Sequence, residues 1–265
     1  MDHIANDRDF RLLSADRHTF SVLSRILRGP CSCIRTDHEK LILCYSSFPY
    51  PVWIWTPDNA DESEKERAWQ LAEQTLPLSD GYRYNLKYEL ASYFLSRSQQ
   101  NGLPLRIETN LFAYDCPAPL RPSAPADGFF YTCTAEDAAE AADLIFRFNG
   151  AINSEGRSRD ACLLRAQEYI SHNAFFLWKN ASGETVACCS YKSDDTFGCI
   201  AGVYTKPEHR RKHYAQNMVY QATRLIADRG LMPMLYTDAD YAASNACYEK
   251  IGYILCGKLC SIAAQ

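Results

Sequence analysis

The 265-residue chain has no basic excess: 28 Lys and Arg stand against 32 Asp and Glu, a formal net charge of -4. Proteins that work along phosphate backbones carry a basic surplus or stripe. Only one short basic cluster occurs here, so no nucleic-acid partner is expected. Long apolar runs are also missing. No stretch approaches the roughly 20 residues that span a bilayer, and the start, Met1 to Leu13, has no apolar segment of signal type. These absences predict a soluble, cytoplasmic chain without a membrane partner. Zinc-type spacing is absent too. Of the twelve cysteines, Cys31 with Cys33 and Cys188 with Cys189 are the tightest pairs, and neither forms CxxC. Without a secretory signal they are expected to be reduced and packed in strands, with no metal bound.

What is present is enough apolar sequence, 47%, to bury a core. The segment Cys116 to Gly128 carries four prolines (Pro117, Pro119, Pro122, Pro125). It can neither continue a helix nor sit inside a sheet, which predicts a linker at 117–128 between a domain at 1–116 and a domain at 129–265. In the first, helices are expected at 19–27, 61–76 and 84–100, with a hairpin at 31–35 and 41–46 and strands at 52–55 and 105–114. No chemical motif appears there. In the second, Thr134 caps a helix at 135–148. A helix at 159–171 and strands at 174–179, 185–190 and 198–205 follow. A long helix, a strand at 232–236, a short helix at 244–250 and a strand at 253–258 complete it. This is an α+β order with a mixed, mostly antiparallel sheet flanked by helices.

The segment after Thr205 carries the chemistry. Pro207 turns the chain. A helix then opens with one apolar face formed by Ala215, Met218, Val219, Ala222, Leu225 and Ile226. His209, Arg210, Arg211, Lys212 and His213 therefore lie at or just before a helix start. That end has free N–H groups and a partial positive charge, so cations there cost stability unless an anion joins them. Phosphate is the usual guest, and a solvated basic turn is the alternative.

The run Arg210-Arg211-Lys212-His213-Tyr214-Ala215 resembles the coenzyme A loop of the GNAT family of N-acetyltransferases, Arg/Gln-x-x-Gly-x-Gly/Ala, with His213 where that loop has glycine. Leu235 to Tyr253 is similar to the family's closing element, with Asn245 and Tyr248 one helical turn apart before a Lys-x-Gly-aromatic turn. The resemblance implies the GNAT fold and transfer of an acetyl group from acetyl-CoA to a small-molecule or peptide amine. It implies that the strand end Val203, Tyr204 and Thr205 bonds the pantetheine arm, joined by Asn245, and that Arg210, Arg211, Lys212, His213, Tyr214 and Ala215 hold the pyrophosphate. Tyr248, taken with an ordinary phenol pKa of about 10, would protonate the departing thiolate. No cysteine is asked to act as nucleophile. Glu155, His172, Asp194 and Asp238 are candidate bases without a motif. A non-catalytic acyl-CoA sensor or interaction module is the competing reading. The first domain is compatible with a decayed copy of the same fold that binds no cofactor. Nothing in the sequence specifies an oligomeric state.

Overall fold

A computed structural model describes residues 1–152 and 158–265. They divide into two units: Met1–Ala113 with Thr237–Asp240 and Cys256–Gln265, and Tyr114–Tyr236 with Tyr241–Leu255. This division differs from a cut at the prolines. The proline-rich segment goes with the second unit, and most of the last strand goes with the first.

In the first unit, α1 (Asp7–Leu13) and α2 (Ser21–Arg28) precede three antiparallel strands, β1 (Cys33–Thr36), β2 (Ile42–Tyr45) and β3 (Val52–Trp55). Helix α3 (Glu62–Thr75) leads to β4 (Tyr84–Leu86), which runs parallel to β3. Helix α4 (Tyr88–Gln100) leads to β5 (Leu105–Asp115). The C-terminal strand β11 (Ile254–Ala264) pairs with β4, and the order is β1-β2-β3-β4-β11-β5. Trp69 and Ala72 of α3 and Phe94 of α4 pack around Tyr84 in one buried cluster. The Tyr84 hydroxyl donates to the Leu76 carbonyl at 2.7 Å. Helix was expected from residue 84, but 84–86 is strand. Cys260 pairs with Leu86 and Ile262 with Tyr84, and a partner so distant in sequence overrides the local helical period.

In the second unit, β6 (Phe129–Thr132), unanticipated from sequence, precedes α5 (Ala138–Ala151) and α6 (Arg159–Ser171). Thr134 and Asp137 form a reciprocal capping box ahead of α5. Strands β7 (Phe175–Lys179), β8 (Thr185–Ser193) and β9 (Phe197–Thr205) are antiparallel neighbours. After α7 (Tyr214–Asp228), strand β10 (Met232–Asp238) runs parallel to β9, and α8 (Ala242–Glu249) follows. The order is β10-β9-β8-β7-β6. Helix α7 buries Met218, Val219, Ala222 and Ile226 as expected. Ala215 and Leu225 are only half-buried, and Tyr214, Tyr220 and Thr223 take their share.

Along the chain one order occurs twice, from α1 to β5 and, after β6, from α5 to β11: two helices, three antiparallel strands, a helix, a strand parallel to the third, a helix and a last strand. The mixed, mostly antiparallel sheet flanked by helices is as expected. The proline-rich segment is a strap bound to the second unit. Cys116 N–H donates to the Pro233 carbonyl at 2.9 Å and Leu120 N–H to the Ile251 carbonyl at 2.7 Å. Pro122 is buried. Proline-rich backbone has fewer donors to satisfy, so it can lie along a folded surface without completing a ladder.

Candidate active site

The site begins where β9 loses a neighbour. The parallel ladder with β10 runs from Phe197↔Met232 to Ile200↔Leu235 and stops, although β9 continues to Thr205. On its other side, β9 carries one residue more than β8 between the pairs Ser190↔Ala201 and Cys188↔Tyr204. Gly202 sits in that bulge with φ 63°, a conformation glycine adopts without strain. The extra residue re-aims the strand end. Val203 and Thr205 are half-buried and Tyr204 is buried, as side chains on opposite faces require. The Thr205 Oγ1 is buried without a hydrogen-bond partner among the described residues. A lone glycine inside a strand pattern is the signal by which sequence could have located the bulge.

After Thr205 a single 3-10 turn, Pro207–His209, leads to the basic loop. Arg210 is extended, and its Nε donates to the Thr205 carbonyl at 3.2 Å. Arg211 (φ 62°) and His213 (φ 63°) are both left-handed. His213 is the N-cap of α7, yet its side chain makes no capping bond. The first α7 residue whose N–H reaches a helical carbonyl is Asn217, which donates to His213 at 3.1 Å. The N–H groups of Tyr214, Ala215 and Gln216 have no helical acceptor, as at any helix start. A loop that visits the left-handed region just before such a start gathers N–H groups into a concave anion site. Among the described residues no carboxylate pairs with Arg210, Arg211 or Lys212, and all three are exposed. His209 and Lys206 differ: their side-chain nitrogens lie 3.1 and 3.8 Å from Glu184 Oε1. Tyr214 also turns away from the loop. Its hydroxyl donates to Asp127, so only its backbone N–H remains for a ligand.

On α8, Asn245 is half-buried and Tyr248 buried, three residues apart on one face. The Tyr248 ring meets Tyr253 edge-on at 6.0 Å. The Tyr253 hydroxyl lies 2.8 Å from the Thr223 hydroxyl of α7, which fixes this corner. The ordinary phenol pKa expected for Tyr248 does not hold. Burial pushes it upward, opposed in part by a hydrogen bond with Ser244. The shift favours the protonated phenol.

The described candidate bases each make local hydrogen bonds. His172 Nδ1 lies 2.8 Å from the Glu168 carbonyl, one turn back on its own helix. Asp194 accepts from the N–H groups of Thr196 and Phe197, both at 2.8 Å, and shapes the β8–β9 turn. Asp238 accepts from Asp240 N–H at 3.0 Å and belongs to the first unit. Glu155 lies outside the described residues. Neither Asp127 nor Asn217, which hold the start of α7, stood out in the sequence, because their partners are set by the strap's path.

The model of the acetyltransferase (GNAT) family matches residues 140–253, spanning α5 to α8 and both segments above. The chain carries a GNAT-family domain. No curated protein matches the sequence. Among solved structures, the chain is similar to a GCN5-related N-acetyltransferase from Sphaerobacter thermophilus (14% identity, TM-score 0.67, covering 97% of this chain and 91% of that one). It is also similar to a GCN5-related N-acetyltransferase from Kribbella flavida (18% identity, TM-score 0.65, 95% of each chain). A tandem GNAT protein from the clavulanic acid biosynthesis pathway matches at 12% identity and TM-score 0.57, over 98% of this chain and 96% of that one. At these identities the likeness is one of fold, and it extends over both units. The family match is thus to an acetyltransferase domain over residues 140–253.

The first unit's counterpart of the GNAT loop is built the opposite way. Helix α3, which follows β3 as α7 follows β9, is N-capped by Asp61 in a reciprocal box with Glu64 and has Glu62 in its first turn. Its end is thus filled by its own carboxylates, which repel an anion and occupy the donors. Lys87, just after β4, is held between Asp16 and Asp58.

Proposed function

We propose that the second unit transfers an acetyl group from acetyl-CoA to an amine by direct attack. The observation that carries this reading is the end of the β9–β10 ladder at Ile200↔Leu235, immediately ahead of the uncapped start of α7. An extended strand edge suits the amide-rich pantetheine arm, and uncapped N–H groups beside exposed cations suit a pyrophosphate. The buried, unpartnered Thr205 Oγ1 at their junction fits a polar guest. In this reading Val203, Tyr204 and Thr205 meet the arm together with Asn245. The loop from Arg210 to Ala215 holds the phosphates, Tyr214 through its backbone alone.

In the reaction the amine nitrogen attacks the thioester carbonyl carbon and its extra proton passes to water. The tetrahedral intermediate collapses with cleavage of the C–S bond. The electron pair leaves on sulfur, where the Tyr248 hydroxyl donates to the thiolate. Because burial raises the phenol, stabilisation by hydrogen bonding carries more weight than full proton transfer. The test is thiol release from acetyl-CoA over a panel of small and peptide amines. Tyr248→Phe should lower kcat about 100-fold with little change in KM for acetyl-CoA. An unchanged kcat would remove Tyr248 from the mechanism.

One observation favours a second reading, a non-catalytic acyl-CoA sensor: His172, Asp194 and Asp238 are engaged in local hydrogen bonds. Calorimetry separates the two. Tight coenzyme A binding without turnover on any amine selects the sensor, and absence of binding removes both.

A further inference from the structure

Asp127, at the end of the strap, gathers three separate elements. Its carboxylate Oδ1 accepts from the Tyr214 hydroxyl at 2.5 Å. Its Oδ2 accepts from the Ala181 N–H in the β7–β8 turn at 3.1 Å. Its backbone carbonyl accepts from Trp178 Nε1 at 2.7 Å. A second tie lies one turn along α7, where Asn217 Nδ2 donates to the Ala124 carbonyl at 3.0 Å. Tyr214 is the first residue of α7, so both ties act on the turn whose N–H groups lack acceptors.

That turn needs outside support. Its cap residue, His213, contributes no side-chain bond and sits in a left-handed conformation that costs a residue with a Cβ free energy. Helix starts without caps fray. A frayed first turn would disperse the donors that a pyrophosphate requires to be convergent. The Tyr214–Asp127 bond supplies from the side what a capping residue would supply from the end. It is a charge-assisted bond to an ionised carboxylate, the stronger kind. The Tyr214 bond holds the Asp127 carboxyl below its ordinary range, and the same bond pushes the Tyr214 phenol up to about 12. The bond therefore keeps its charge state across neutral pH.

We infer that Asp127 is a positioning residue for coenzyme A: through the Tyr214 hydroxyl it holds the first turn of α7 in its binding arrangement, without itself touching the ligand. This rests on the proposal that the α7 start holds the pyrophosphate. Asp127→Ala, Tyr214→Phe and the double variant should be compared with the wild type by calorimetric titration with coenzyme A and by steady-state kinetics in acetyl-CoA.

Each single variant should weaken coenzyme A binding about tenfold and raise KM for acetyl-CoA in step, with kcat altered less than about twofold. The double variant should be no weaker than either single one, since both remove the same bond. Asp127→Asn keeps an oxygen for the Tyr214 hydroxyl and should recover most of the affinity. Wild-type coenzyme A affinity in Tyr214→Phe would overturn the inference, and that variant stands even where Asp127→Ala does not fold. Additive losses in the double variant, or losses of kcat and affinity in proportion to lost thermal stability, would overturn it too. A wild-type chain that does not bind coenzyme A would instead overturn the reading on which it rests.

Discussion

His213 stands where the GNAT loop has glycine, and the backbone explains why glycine belongs there. The residue sits at φ 63° and ψ 7°, left-handed, and its exposed side chain caps nothing. For a residue with a Cβ this conformation costs about 1–2 kcal/mol. Replacement by glycine removes that cost but frees the unfolded chain by about 0.5–1 kcal/mol. His213→Gly should therefore stabilise the chain by about 0.5–1 kcal/mol, a rise in Tm of roughly 1–4 °C. His213→Ala keeps the Cβ and should gain nothing. The same pair reads the ligand. If the imidazole only crowds the loop, His213→Gly lets the backbone approach the phosphates, and coenzyme A binding should tighten about fivefold, near 1 kcal/mol. Thermal unfolding with and without coenzyme A, plus calorimetry on both variants, measures each quantity. Equal stabilities for the glycine and alanine variants would refute the conformational argument. Binding weakened about tenfold in both would refute the crowding argument and make the imidazole a phosphate donor.

Further tests address the rest of the molecule. Gly128, at the strap's end, has φ 86°, and a Cβ there would lie 1.9 Å from the Lys179 carbonyl oxygen. Gly128→Ala should cost about 3 kcal/mol, read as a Tm loss of roughly 10 °C, with weakened coenzyme A binding because Asp127 shifts with it. In the first unit, His38 lies between Asp2 and Asp9 at 2.7 and 2.8 Å, and these hydrogen bonds, that to Asp2 first, raise its pKa above 6.5. The bonded, charged imidazole thus stabilises the fold fully below pH 6.5, and this support is lost as pH rises through the raised value. Tm measured from pH 5 to 9 should fall more steeply for the wild type than for His38→Gln; parallel curves would show that the clamp contributes nothing.

Most helices of this chain were legible because their signals are local, although α1 was not anticipated. Asp61 with Glu64, and Thr134 with Asp137, announce their helix starts within four residues. The basic loop was legible for the same reason: a strand, a proline and a helix with an apolar face fix where three cations fall. Strand assignment failed where partners are remote. Tyr84 to Leu86 follow a helical period but pair with a strand some 174 residues away, and β6 carries too little alternation to declare itself. The order of elements that occurs twice along the chain is likewise a matter of pairing, since neither the basic loop nor the Asn–Tyr helix recurs in its first occurrence.

By itself, then, the amino-acid sequence placed the basic loop ahead of α7 and the capped starts ahead of α3 and α5, because propensity, caps and charge act over one or two turns. The tertiary structure alone decided three things. The strand end at Thr205 parts from β10, the strap binds the start of α7 through Asp127, and the Tyr248 phenol is raised by burial. Each depends on groups brought together by long-range packing, and desolvation and register exist only once the chain has folded.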